Sequence, residues 1–327
     1  MKKYDVLYTA DSLFFSHMIT SIYSLLLNNQ DVYLTVHVIE SKFSESQKRL
    51  LQEIISCYNA DVKLYSIESY PNIIQKYNIP KWRDTDIANA RLFAHEIIKD
   101  VEKILYIDSD TIIVDSLDSL FQKELSNPVG AVKEFFLPYH MKDIILDYYN
   151  SGVILFDYSI WEDENCIDLI RQCLKLNREI LYYPDQDLLN MALQNKIDTL
   201  NVSYNINPAM VEISKYPYLA KHYFEHENNV YSFSEISEGL KNPHIYHMLE
   251  YFYIKPWEKN RVHPFNQLYK EYRNKWDQNF KVDETDNLLA QIKFLSFFKC
   301  CLNAFLTKEE MDHVKKLLKL YKGPEIK

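Results

Sequence analysis

The chain has 327 residues, 47% hydrophobic and 14% aromatic, which is ample for a folded domain with a large core and excludes a disordered segment. A net charge of −9, with no basic stretch interleaved with aromatics in the first 280 residues, argues against a surface that wraps nucleic acid. The charge is uneven: residues 288–327 carry +4, eight lysines against four acids, and residues 1–287 carry −13.

Residues 4–10 read as a first strand, because Asp5 interrupts an apolar run too short for a secretory leader. Apolar residues at helical spacing follow over 14–28, after Asp11 or Ser12 as a cap, and residues 34–39 give a second strand. Ser44 to Gln47 has the form of a capping box opening a helix to about Tyr58, with a third strand over 62–67. This β-α-β-α-β alternation predicts an α/β fold with a mostly parallel central sheet.

Pro71 and Pro80 punctuate a predicted loop, and residues 86–99 have helical periodicity that places Arg91 on a helix. Ile104 to Ile107 form a near-continuous apolar run, the pattern of a strand buried on both faces. Further strands are expected over 129–134 and 152–157, and helices over 165–176 and 188–194. Residues 258–327 lack strand signals and read as helical.

The fourth strand stops at two carboxylates one residue apart, Asp108 and Asp110. The carboxyl ends of strands are where open α/β sheets bind ligands, and hard oxygen donors there favour Mg²⁺ or Mn²⁺. On residue type alone, a turn with Asp side-chain caps accounts for the pair equally well. The four glycines are too scattered for a Gly-x-Gly-x-x-Gly turn or a P-loop, so a bound pyrophosphate would need a metal and cationic side chains. Five cysteines (Cys57, Cys166, Cys173, Cys300, Cys301) lack metal-type spacing and read as reduced thiols, which fits a cytoplasmic setting.

Tyr8-Thr9-Ala10-Asp11, Asn89-Ala90-Arg91-Leu92, the Asp108-Ser109-Asp110 turn, Asn150-Ser151-Gly152, Asp185-Gln186-Asp187 and His247 through Lys255-Pro256-Trp257 occur in an order that resembles glycosyltransferase family 8. The resemblance covers roughly residues 4–260. It implies a GT-A-type, Rossmann-like nucleotide-sugar fold and a retaining, metal-dependent transfer from a UDP-sugar. Residues 1–260 would be the catalytic domain and 261–327 a helical C-terminal appendage.

By that resemblance Ala10 and Asp11 would face the uracil, Ser109 would join the nucleotide-binding set, and Arg91 and Lys255 would approach the diphosphate. Asp108, Asp110 and His247 would hold Mn²⁺, or Mg²⁺; His244 competes for the third position at a less favourable spacing. Glu134 and Asn150 would line the donor-sugar pocket. Asp185 would hold sugar hydroxyls, and Gln186 would stabilise charge at the anomeric carbon, while Asp187 would either point away or contact a residue that itself touches the site. The bland readings are helix capping for Asp11, a surface ion pair for Arg91, a buried hydrogen-bonded His247, and dipole compensation for Asp185 and Gln186. The His247-to-Lys255 offset of eight is longer than the family pattern, and no glycine lies between.

The expected reaction moves glucose or galactose to a saccharide or lipid-linked saccharide of surface polysaccharide, lipopolysaccharide or glycoprotein glycan. Attack would come from the front face, because Gln186 is a poor nucleophile. Two alternatives stand beside it: an idle sugar-nucleotide-binding scaffold, and a haloacid-dehalogenase-type phosphatase built on Asp108 and Asp110, with Ile112 where that family wants Thr or Val. The Lys293 to Lys322 region, with Phe294, Phe297 and Phe298, reads either as a peripheral membrane contact or as a core- or dimer-facing helix.

Overall fold

The computed structural model describes residues 1–82, 84–135, 137–141, 144–215, 231–251, 253–258 and 263–281. The strands are β1 (Lys3–Asp11), β2 (Tyr33–Ser41), β3 (Ala60–Ser66), β4 (Lys103–Ile107), β5 (Thr111–Ile113), β6 (Val129–Lys133), β7 (Tyr149–Asp157), β8 (Ile197–Thr199) and β9 (Ile245–His247). Seven of them form one sheet in the order β3-β2-β1-β4-β7-β6-β8, while β5 and β9 form a separate two-stranded sheet. Four of the six pairings in the large sheet are parallel; β7 runs antiparallel to both β4 and β6. The expected α/β architecture with a mostly parallel sheet is the one that forms.

The central strands are apolar on both faces because helices cover both. Helix α1 (Phe15–Asn28) buries Met18, Ile19, Ile22, Leu25 and Leu26. Helix α2 (Glu45–Ser56) opens with the expected capping box: Gln47 N–H donates to Ser44 Oγ at 3.2 Å and Ser44 N–H to Gln47 Oε1 at 2.9 Å. The 71–80 segment is not the predicted loop. Pro71 starts helix α3 (Pro71–Tyr77), where its missing N–H costs nothing, and Asn78 closes it in the left-handed conformation, φ 45°.

The continuous helix expected over 86–99 is also broken. Ile87–Leu92 is a 3₁₀ turn, followed by the short α4 (Ala94–Ile97). The 3₁₀ turn is buried: Asn89 donates to Pro80 O at 3.0 Å, and Arg91 Nε donates to Ala88 O at 2.9 Å. The Asn89 bond to Pro80 O and the Arg91 Nη1 bond to Ser151 O, 2.6 Å, outweigh helical periodicity over so short a run.

After α5 (Asp118–Phe121), α6 (Tyr158–Asp163) and α7 (Cys166–Asn177), helix α8 (Pro184–Ala192) begins earlier than its apolar spacing predicts, with proline again at the first turn. It is followed by α9 (Pro208–Ser214), α10 (Phe233–Lys241) and α11 (Asn266–Trp276). Helix α11 lies against α1. His17 Nδ1 and Tyr269 Oη are 2.6 Å apart, Arg273 Nη1 donates to Ser16 O at 2.9 Å, and Trp276 Nε1 donates to Thr20 Oγ1 at 3.1 Å. The described part of the 261–327 region is therefore joined to the main core, in which Phe265, Tyr269 and Tyr272 are buried.

Cys300, Cys301 and the lysine-rich 293–322 segment lie outside the described residues. Among the described residues no helix is long and apolar enough to cross a membrane. Cys57, Cys166 and Cys173 are free thiols.

Candidate active site

β1 and β4 pair in parallel, Leu7 opposite Tyr106, so Ala10-Asp11 and Asp108-Asp110 leave the sheet at the same edge. Asp108 N–H donates to Gly152 O at 2.7 Å, and Ser109 Oγ donates to Thr9 O at 3.0 Å, which fixes the turn. The chain then leaves the large sheet as β5 and pairs with β9, placing Thr111 opposite His247. Met248 N–H donates to Asp110 O at 2.8 Å.

That pairing brings His247 Nε2 to 3.1 Å from Asp110 Oδ1 and 3.6 Å from Asp108 Oδ2. One ligand atom from each of Asp108, Asp110 and His247 lies within 4.8 Å of the others. Two carboxylates and an imidazole converging in this way fit a divalent cation. Gly152 makes the convergence possible. A Cβ there would stand 2.2 Å from His247 Cε1 and 2.9 Å from Asp108 Oδ2. His244 is elsewhere, with Nδ1 3.1 Å from Ser203 Oγ.

Two buried cations face these acids. Arg91, 6% exposed, reaches Asp108 Oδ1 through Nη2 at 3.0 Å, Asp185 Oδ2 through Nε at 3.2 Å and Ser151 O through Nη1 at 2.6 Å, and lies 4.4 Å over the Tyr106 ring. The surface-ion-pair reading is excluded by that burial. Lys255 Nζ donates to Asp110 Oδ2 at 2.5 Å and to Met248 O at 2.8 Å, so the longer His-to-Lys loop still delivers its ammonium to the acids. Burial opposes ionisation of Asp110, but Lys255 and His247 outweigh it and hold the carboxyl well below the usual carboxylate range.

Asp185 and Gln186 occupy the first turn of α8. Burial raises the Asp185 carboxyl above its ordinary value, with Arg91 opposing. Gln186 Oε1 accepts Ser151 N–H at 2.9 Å, and its Nε2 donates to Tyr148 Oη at 3.1 Å. Asp187 is fully buried and accepts from Tyr148 Oη at 2.5 Å and the amides of Tyr182 and Tyr183 at 2.7 and 2.8 Å, with His140 Nε2 2.9 Å away. It ties the 182–183 turn to the segment before β7 and, through Tyr148 Oη, reaches the side chain of Gln186.

Glu134 Oε2 accepts Asn150 Nδ2 at 2.8 Å, and Oε1 accepts Phe135 N–H at 2.9 Å and the Tyr251 hydroxyl. Burial raises its carboxyl above the ordinary value. Asp11 Oδ1 accepts the amides of Leu13 and Phe14 at 3.0 and 2.9 Å, a cap just ahead of α1. Ala10, the last residue but one of β1, lies beside Glu40 of β2.

Sequence reasoning missed the roles of Ser151, Gly152, Tyr106 and Asn205. Ser151 and Gly152 stand in a quoted motif, and a glycine within an otherwise bulky strand signals close approach by another group. Tyr106, whose hydroxyl donates to Asp108, and Asn205, whose Oδ1 lies 2.9 Å from His247 Nδ1, carry no such local signal.

The profile described as Glycosyl transferase family 8 matches residues 5–261. A putative glycosyltransferase of Haemophilus influenzae is 23% identical over 224 residues, 64% of this chain and 66% of the relative's length. A lipopolysaccharide 1,2-glucosyltransferase of Escherichia coli is 26% identical over 302 residues, 84% of this chain and 82% of the relative. Among solved structures, the galactosyltransferase LgtC in complex with donor and acceptor sugar analogues superposes with a TM-score of 0.66 at 19% identity, over 88% of this chain and 99% of that one.

Proposed function

The chain belongs to glycosyl transferase family 8 and has the GT-A fold, and from that premise we propose that it transfers a hexose, glucose or galactose, from a UDP-sugar to a saccharide hydroxyl with retention of configuration. The observation that carries this reading is the convergence of Asp108, Asp110 and His247 beside the buried Arg91 and Lys255. Family membership removes the phosphatase alternative; Asp108, in any case, is engaged by Arg91 and Tyr106 rather than free to act as a nucleophile.

Asp108, Asp110 and His247 would hold Mn²⁺ or Mg²⁺, which when bound offsets negative charge gathering on the departing diphosphate. Arg91 is already desolvated and held by Asp108, Asp185 and Ser151, so it would set a fixed positive charge beside the diphosphate. Lys255 supplies a second cation from the opposite chain segment. Ala10 and Asp11 would meet the uracil at the end of β1, with Ser109 on the nucleotide side. Glu134, Asn150 and Asp185 would bind donor-sugar hydroxyls, where an epimeric hydroxyl would be discriminated by the loss of a buried hydrogen bond.

The surroundings of Asp187 favour front-face attack. A carboxylate committed to Tyr148 and two backbone amides is not free to form a glycosyl bond. As the bond from the anomeric carbon to UDP breaks, an oxygen of the departing β-phosphate would accept the proton of the acceptor hydroxyl, and the acceptor oxygen would bond to the anomeric carbon on the same face. The lipopolysaccharide glucosyltransferase relative favours an acceptor of lipopolysaccharide type. Free thiols at Cys57, Cys166 and Cys173 suit a cytoplasmic setting.

The test is UDP release from a panel of UDP-sugars, with and without Mn²⁺, for wild type and Asp110→Ala. Mn²⁺-dependent release from one sugar, lost in the variant, is expected. Metal-independent release of equal rate in both proteins would overturn the metal-assisted reading.

A further inference from the structure

Hydrogen-bond directions around His247 can be worked out from a donor whose identity is fixed. Gly152 N–H donates to Asn150 Oδ1 at 2.9 Å, which sets that amide, and Asn150 Nδ2 then donates to Glu134 Oε2 at 2.8 Å. Asn205 meets the same Asn150 Oδ1 at 2.8 Å and must present Nδ2, since an oxygen there would face an oxygen. Asn205 Oδ1 is thereby turned to His247 Nδ1, 2.9 Å away. An amide oxygen only accepts, so Nδ1 carries a proton, and Nε2 is the ring nitrogen that faces Asp108 and Asp110. His247 and Asn205 are 1% and 2% exposed, so the partners available to them are these protein groups.

We propose that Asn205 is a positioning residue that fixes His247 in the Nδ1–H tautomer, so that Nε2 is ready for the cation. The chain Glu134–Asn150–Asn205–His247 thereby links the carboxylate assigned to the donor sugar with the imidazole assigned to the metal. A partner on the second ring nitrogen sets both the tautomer and the orientation of a metal-binding histidine. The inference rests on the metal reading of Asp108, Asp110 and His247.

The experiment is long-range ¹H–¹⁵N correlation on histidine-labelled, metal-free full chain at mildly alkaline pH, with His247 assigned from its absence in His247→Gln, together with Mn²⁺ affinity by electron paramagnetic resonance. Wild-type His247 should show a protonated Nδ1, with no neutral form that is protonated at Nε2 alone. Asn205→Leu should lose that preference and bind Mn²⁺ about 10- to 100-fold more weakly. Asn205→Asp keeps an acceptor for Nδ1–H, at the cost of an oxygen–oxygen contact with Asn150, and should retain the tautomer and bind Mn²⁺ more tightly than the leucine variant.

A wild-type His247 with an unprotonated Nδ1 overturns the proposal whether or not either variant folds. So does an Asn205→Leu protein with wild-type tautomer and affinity. Wild type that binds no Mn²⁺ removes the metal reading and this inference with it, whereas Mn²⁺ binding with the wrong tautomer removes this inference alone.

Discussion

Gly152 shows how little space separates the acids from the imidazole. An alanine Cβ would lie 2.2 Å from His247 Cε1 and 2.8 Å from Nδ1, both ring atoms of a side chain itself held by Asn205. The ring cannot yield without giving up its place between Asp108 and Asp110. Gly152→Ala should therefore cost about 1–3 kcal/mol of stability through overpacking. Mn²⁺-dependent UDP release should fall by at least about tenfold, as for other losses of support around a metal ligand. Urea midpoints and initial rates check the two effects separately; full activity in a folded variant would show that the ring has room.

Two elements near the site are set by tertiary contacts. The 3₁₀ turn Ile87–Leu92 directs Arg91 inward, and β5 leaves the main sheet to pair with β9. A third element, α11, supports α1 from outside. Tyr269 is 1% exposed, its hydroxyl bonds His17, and its ring lies 5.1 Å from that of Trp257, two residues beyond Lys255. Tyr269→Ala should cost about 3–5 kcal/mol, the range for emptying a buried aromatic site. Urea denaturation measures it, and a loss below about 1 kcal/mol would show that α11 is only loosely held.

Across the whole molecule, stability should depend on pH through buried histidines. Burial, with Arg273 assisting, lowers His17 from 6.5 to about 3; burial lowers His95 from 6.5 to about 4 despite Glu96. Both stay neutral in the folded chain while the unfolded chain protonates near 6.5, so the unfolded state binds more protons in that window and stability falls as pH falls. Asp185 and Glu134, raised by burial, act oppositely: protonation favours the folded state as pH drops through their folded values. The histidine contribution is separable with His95→Phe, since the ring lies 5.9 Å from those of both Tyr158 and Trp161 and a phenyl can take its place. The drop in Tm between about pH 7 and about pH 5 should be smaller in the variant than in wild type. Equal drops would assign the acid sensitivity elsewhere.

What the sequence determined by itself is what neighbouring residues decide among themselves. The alternation of β1 through β3, the Ser44 capping box and the carboxylates at the end of β4 all rest on contacts within a few positions, so periodicity and residue type report them. Ser232 and Glu235 form a second capping box ahead of α10, a signal of the same local kind that went unread. Family motifs named Asp108, Asp110 and His247 together, but spacing could not say how an imidazole 137 residues from Asp110 arrives within 3.1 Å. Only tertiary structure decided that, through the β5–β9 pairing. It also broke the 86–99 helix, brought Tyr106 to Asp108 and set Asn205 against His247. The physical reason is that such contacts require long loops to close, and their register is fixed by the packing of both sheets rather than by any residue's neighbours in the chain.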